Sequence, residues 1–132
     1  MAYDAINRKI NSFTIIELVI IIAVIGILAS FAVPSFIRLK EDAYRKKELL
    51  TVDSIRKGIW IWWQQHGKKW PSQLDDAHNG ECSKNNPFFT YVLEKPVVEG
   101  WRKKDFEYRC ILGKGGKTYV YNPQTGKFEE KE

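Results

Sequence analysis

Glu17 is the residue whose chemistry is most constrained by its neighbours. It stands five residues into FTIIELVIIIAVIGILASFAVPSFI, residues 13 to 37, and from Leu18 to Ile37 there is no charged side chain. A carboxylate at mid-bilayer costs about 2.5–3.5 kcal/mol, less near a helix end. Such an acid needs either a cation or a path to the headgroups. The other chemistry-bearing residues are sparse. His66 and His78 have no nucleophile or metal-ligand partner at a working spacing, so the chain does not read as an enzyme. Asp75, Asp76 and Glu81, in DDAHNGE, supply oxygens of the kind calcium takes. The D-x-[DN]-x-[DN]-G spacing and its distal Glu are missing, and a solvated acidic loop is the other reading.

Two cysteines, Cys82 and Cys110, have no nearby pair of histidines to complete a tetrahedral zinc site. In an oxidising compartment they read as a disulfide, closing a loop for about 3–4 kcal/mol in the chain-entropy description. The formal charge is 21 − 16 = +5. Part of that excess sits at Lys68, Lys69, Arg102, Lys103 and Lys104, with Trp70 and Trp101 beside them. Cations for phosphates next to indoles for bases make a nucleic-acid surface conceivable, at about 1–3 kcal/mol per stacked base. A solvated charged face is the plainer reading.

The elements that must position these groups begin with the apolar run. Twenty residues at about 1.5 Å each give a helix of roughly 30 Å, the thickness of a bilayer's hydrocarbon core. Arg8 and Lys9 precede it. A secretory signal has a run of about 7–15 residues with small residues after it. Here the run is longer, and the well-placed small residue, Ser12, stands before it. Past Arg38 the helix continues to about His66, with Val52, Ile55, Ile59 and Trp62 or Trp63 on one face. Gly67 then supplies a stop. Trp60, Trp62, Trp63 and Trp70 read as core residues against a sheet, with a ligand platform as the alternative. Residues 76 to 87 read as loop. DFEYRCIL (105 to 112) and KTYVYN (117 to 122) form a hairpin around the turn at 113–116, and a last short strand covers 127 to 129. The fold class is therefore α+β, a long N-terminal helix packed on a small antiparallel sheet that starts at about residue 105.

The segment SFTIIELVIIIAVIGILASFAVPSF resembles the N-terminus of type IV pilins and of the pseudopilins of type II secretion. The basic leader, Phe13, Thr14, Glu17, Gly26 and the Pro34-Ser35-Phe36 exit all match in one register. The resemblance implies a pilin-like fold with a leader at 1–12, a membrane and assembly helix at 13–37 and a soluble domain at 38–132. It implies a prepilin peptidase that cuts between Ser12 and Phe13 and methylates the new amine; the family usually has Gly where this chain has Ser12. Glu17 becomes the assembly acid, pairing with the ammonium of a neighbouring subunit. Pro34 cannot donate to the carbonyl of Ser30, and the stretch from Gly26 to Pro34 becomes the place where a packed helix loosens.

The implied function is a structural subunit of a type IV pilus or a type II secretion pseudopilus. The implied partners are further copies, other pilin-like subunits, the peptidase, an inner-membrane assembly platform and membrane lipid. The location is the bacterial inner membrane, single-pass, with the C-terminal domain periplasmic or extracellular, and afterwards the filament. Five basic residues between Arg38 and Glu48, against two in the leader, favour the opposite orientation on the positive-inside rule; the resemblance and the paired cysteines favour this one. The alternative function is a minor pilin that binds DNA through the basic and aromatic residues named above.

Overall fold

The computed structural model describes residues 13–132, which places the leader and Ser12 outside the described residues. The chain divides into two compact units that part between Leu39 and Lys40. One helix, α1, Ile15–Gln65, contributes to both. Thr14 caps its start: the hydroxyl accepts the Glu17 N–H at 3.2 Å and the carbonyl accepts the Leu18 N–H at 3.1 Å. Thr-Ile-Ile-Glu is a capping-box sequence, with the acid also placed favourably at the positive end of the helix dipole. The helix runs through Gly26 and Pro34 without a break. Its end is a Schellman turn, in which Gly67 and Lys68 both take the left-handed conformation and the Lys68 N–H reaches the Trp63 carbonyl at 3.0 Å.

Five strands follow: β1, Gly80–Glu81; β2, Trp101–Lys104; β3, Glu107–Cys110; β4, Thr118–Asn122; and β5, Lys127–Glu130. They pair antiparallel in chain order, a meander in which every strand touches only its sequence neighbours. The α+β expectation holds, as does the hairpin around residues 113–116, which is β3 and β4. The sheet starts earlier than expected, at Gly80 rather than near residue 105.

Within the second unit, α1 buries Glu48, Val52, Ile55, Gly58 and Ile59, a stripe at three- and four-residue spacing. Trp101, Tyr108, Cys110, Tyr119, Tyr121 and Phe128 fill the same core from the strands, joined by Leu74, Phe88 and Phe89. Phe89 sits at the centre of this aromatic packing, 4.6 Å from Tyr108, 5.8 Å from Trp101 and 5.9 Å from Phe128 between ring centroids. It does so with a left-handed backbone, φ 62°, a conformation that costs a bulky residue about 1–3 kcal/mol.

At Gly58 the backbone of α1 comes close against the rest of the unit. A Cβ there would overlap the backbone carbonyl of Val92. Gly58→Ala is expected to lower stability by about 1–3 kcal/mol, despite the better helix propensity of alanine. Thermal unfolding of the full chain in detergent, followed by circular dichroism, checks this; an unchanged or raised melting temperature contradicts the close contact.

Candidate functional site

Three places carry the residues singled out from the sequence. The first is the start of α1. Every residue from Phe13 to Lys40 is exposed in the structure, including Ile15, Ile16, Leu18, Phe31 and Phe36. This is one helix long and apolar enough to cross a membrane, and nothing among the described residues covers it. Such a surface requires lipid or other helices around it. Glu17 lies in its first turn, one turn from Phe13. At Pro34 the carbonyl of Ser30 loses its ladder donor. Two nearby hydroxyls bind backwards instead, Ser30 to the Ile27 carbonyl at 2.6 Å and Ser35 to the Phe31 carbonyl at 3.2 Å. Gly26 has open space where a side chain would stand.

The second place is the acidic loop, and here the structure corrects the calcium reading. Asp75 is fully buried, and its carboxylate is saturated by protein donors. Oδ1 accepts the Ala77 N–H at 3.1 Å and the Lys103 ammonium at 2.5 Å; Oδ2 accepts the Phe89 N–H and the Tyr108 hydroxyl, both at 2.9 Å. Burial, followed by the Asp75 charge, pushes the Tyr108 phenol far above its ordinary value, so it stays a donor. Asp76 faces outward and accepts from Gln73 and Tyr91, while Glu81 pairs with Arg102 at 2.6 Å. The three acids do not converge, and no cluster of metal-ligating side chains exists among the described residues.

The same contacts engage part of the nucleic-acid surface expected from the sequence. Trp101 is in the core, Lys103 is locked on Asp75, and Arg102 is held by Glu81. Lys104 is exposed at the end of β2, while Lys68 and Lys69 follow the helix end. Trp70 is half-buried, stacked on Trp63 at 5.4 Å with its ring under Gly126. Of these indoles and cations, Trp101 and Lys103 are used inside the fold, Trp70 is half-buried, and Arg102 is paired at the surface. The tryptophan cluster is also placed differently from the core expectation. Trp60 is exposed, while Trp62, Trp63 and Trp70 are half-buried, and Trp60, Trp63 and Trp70 stack in a row.

The cysteines are the third correction: both are buried and neither is bonded. The reason lies in the sheet. Cys110 is in register with Trp101 on one side of β2, and Cys82 donates its N–H to the Trp101 carbonyl at 3.0 Å from the other. Two strand spacings, about 9.5 Å, separate the thiol-bearing backbones, whereas a disulfide needs Cα atoms within about 7 Å. Burial raises the pKa of both thiols, which keeps them protonated and unreactive.

One anchor had no signal in the sequence. Glu48, buried on α1, accepts from Arg45 at 3.1 Å and from the Lys117 N–H at 2.9 Å. Arg45 also donates to the Leu112 carbonyl, and Glu41 accepts the Lys114 N–H at 3.2 Å. Gly113 turns with a left-handed backbone, φ 67°, which glycine adopts without strain, and the Glu41 carboxylate rests against it.

A long apolar helix with a capped acidic first turn, followed by a small antiparallel meander, is the α+β pilin fold. Homologues bear this out. The type IV major pilin protein PilE of Neisseria gonorrhoeae is 31% identical over 94 residues, 71% of this chain and 54% of that protein. A fimbrial protein of Neisseria meningitidis is 33% identical over 94 residues, with the same shares. The type II secretion system core protein G of Vibrio cholerae is 33% identical over 52 residues, 39% of this chain and 36% of that protein. The chain spans about half the length of the two Neisseria relatives. No family model and no solved structure matches it. Its homologues are thus type IV pilins and a type II secretion pseudopilin.

Two outcomes follow from the buried groups. Asp75→Ala strands the Lys103 ammonium and frees the left-handed Phe89, and is expected to cost about 3–5 kcal/mol, read as a lower unfolding midpoint in denaturant. A reductant is expected to leave the melting temperature of the native chain unchanged, and a drop of several degrees would show that the thiols do pair.

Proposed function

We propose that the chain is a structural subunit of a type IV pilus or of a type II secretion pseudopilus, anchored in the bacterial inner membrane by the first half of α1. The observation that carries this reading is the join of two facts: an uncovered membrane-length helix whose single acid stands in a capped first turn, and pilin homologues spanning 71% of the chain. The processing step in this reading is cleavage between Ser12 and Phe13 by a prepilin peptidase, followed by methylation of the new amine. Ser12 is small, as the residue before the cut must be.

Cleavage would leave an ammonium at Phe13, two residues before α1 begins. Within one subunit that cation and Glu17 lie about a turn apart. Between subunits the carboxylate of one helix can meet the ammonium of the next as it leaves the lipid, so that neither charge enters the bundle alone. Methylation adds apolar surface and keeps the charge. Gly26 and Pro34, which has no N–H to offer the Ser30 carbonyl, give the helix a stretch of weakened ladder between them. The assembly platform and the other pilin-like subunits follow from the same reading. The soluble unit stands on the periplasmic or extracellular side, an orientation that rests on the family likeness alone once the cysteines are unpaired.

The test combines two measurements on cells producing the chain. Intact mass of protein sheared from the surface is expected to start at Phe13. Glu17→Ala is expected to insert normally and to reduce the sheared fraction about a hundredfold, the equivalent of roughly 2.5–3.5 kcal/mol per unpaired charge. Filaments of normal yield from that variant would contradict the pairing.

A further inference from the structure

The loop after α1 forms an open cleft of about 490 Å³ whose lining includes Asp76, His78, Asn85, Asn86, Thr90 and Tyr91. Among the described residues the side chains of His78, Asn85 and Thr90 make no hydrogen bond within the fold. The two walls are fixed by Asp75 from behind and by Asn86 from within the lining. Asp75 holds the backbone of Ala77 on one side and of Phe89 on the other. Asn86 accepts the His78 N–H at 2.7 Å and donates to the carbonyls of His78 and Glu81 at 3.0 and 3.2 Å. The Tyr91 N–H is tied to the Leu74 carbonyl at 3.1 Å. A cleft held this way is preorganised, so that a ligand does not have to order it.

We propose that this cleft binds a neutral saccharide of one or two pyranose units. The chemistry of the lining selects that class. Sugar hydroxyls need donors and acceptors in alternation, and the cleft offers the Asp76 carboxylate, the Asn85 amide, the Thr90 hydroxyl and the His78 imidazole. Asp76 is oriented by Gln73, which donates at 2.7 Å, and by the Tyr91 hydroxyl, both to Oδ1. Among the described residues Oδ2 accepts no hydrogen bond, which leaves it open to a hydroxyl. The C–H face of a pyranose packs on an aromatic ring, and Tyr91 supplies one, exposed and backed by Trp62 at 5.7 Å. No lysine or arginine lines the cleft, and Asp76 repels phosphate, so a nucleic acid is disfavoured. The volume lies at the small-ligand end of the usual range of about 300–1,000 Å³.

The site does not depend on assembly through Glu17, so the two readings fail separately. The test uses the full chain in a detergent without a sugar headgroup, such as a dimethylamine oxide. Galactose, glucose, N-acetylglucosamine and their disaccharides are the probes, read by saturation-transfer NMR and by tryptophan fluorescence. At least one sugar is expected to bind with a dissociation constant of about 0.1–10 mM. Asp76→Asn and Tyr91→Ala are each expected to weaken that affinity about tenfold, the worth of one charge-assisted hydrogen bond or one aromatic face. Glu129→Gln, on β5, leaves it unchanged. The proposal is overturned if no probe binds the folded wild type at about 50 mM, or if both cleft variants bind like the wild type. It is overturned equally if a single strand of about 12 nucleotides binds and Tyr91→Ala abolishes that binding.

Discussion

The Asp75 carboxylate holds the second unit together. It collects two backbone N–H groups, a phenol and an ammonium in a site without solvent. A buried ion pair stabilises only when its remaining lone pairs are satisfied, and here they are. The bond to the Phe89 N–H matters most, because it sustains a left-handed backbone at a phenylalanine. That turn directs the ring to the centre of the aromatic core, between Tyr108, Trp101 and Phe128. One side chain therefore decides both the course of the loop and the packing beneath it. The burial of tyrosines follows: Tyr119 and Tyr121 have their phenols pushed up to about 12 by desolvation, and Tyr121 donates to the Pro71 carbonyl.

The helix meets two environments within one run of hydrogen bonds. Up to Leu39 no face of it is covered, and from Glu48 to Ile59 a single stripe is. In the first part composition dominates, because uniformly apolar side chains offer the backbone no partner but itself. In the second, shape matters, and Gly58 and the Glu41–Arg45–Glu48 row are set against particular backbone atoms. Substitutions should accordingly be tolerated by hydropathy in one stretch and by volume in the other.

Much of this was legible in the residues. The span, its continuation to the end of α1 and the β3–β4 hairpin follow from periodicity and turn chemistry, which act locally. Strand β2 was hidden because Arg102, Lys103 and Lys104 mask its alternation. Lys103 does face inward, as the pleat demands, but carries its charge to Asp75. With that strand hidden, nothing in the residues set Cys82 and Cys110 apart, and the compartment argument for a disulfide had no geometry against it. The sequence also could not tell which of two adjacent aspartates is buried. Density of aromatics does not give depth: Trp60 lies off the stripe set by Val52, Ile55 and Ile59, while Trp62 and Trp63 continue it only as half-buried residues at its end.

The meander has a temporal consequence. Each strand finds its partner within a few residues along the chain, except for the longer excursion between β1 and β2. Local pairings of this kind form quickly, whereas the contacts from α1 to the strands, such as Glu48 to Lys117, close much longer loops. Because α1 precedes the sheet in the chain, its stripe from Glu48 to Ile59 offers the later strands a ready template. The polypeptide can acquire its tertiary structure one hairpin at a time, with little exposed strand edge available for aggregation along the way.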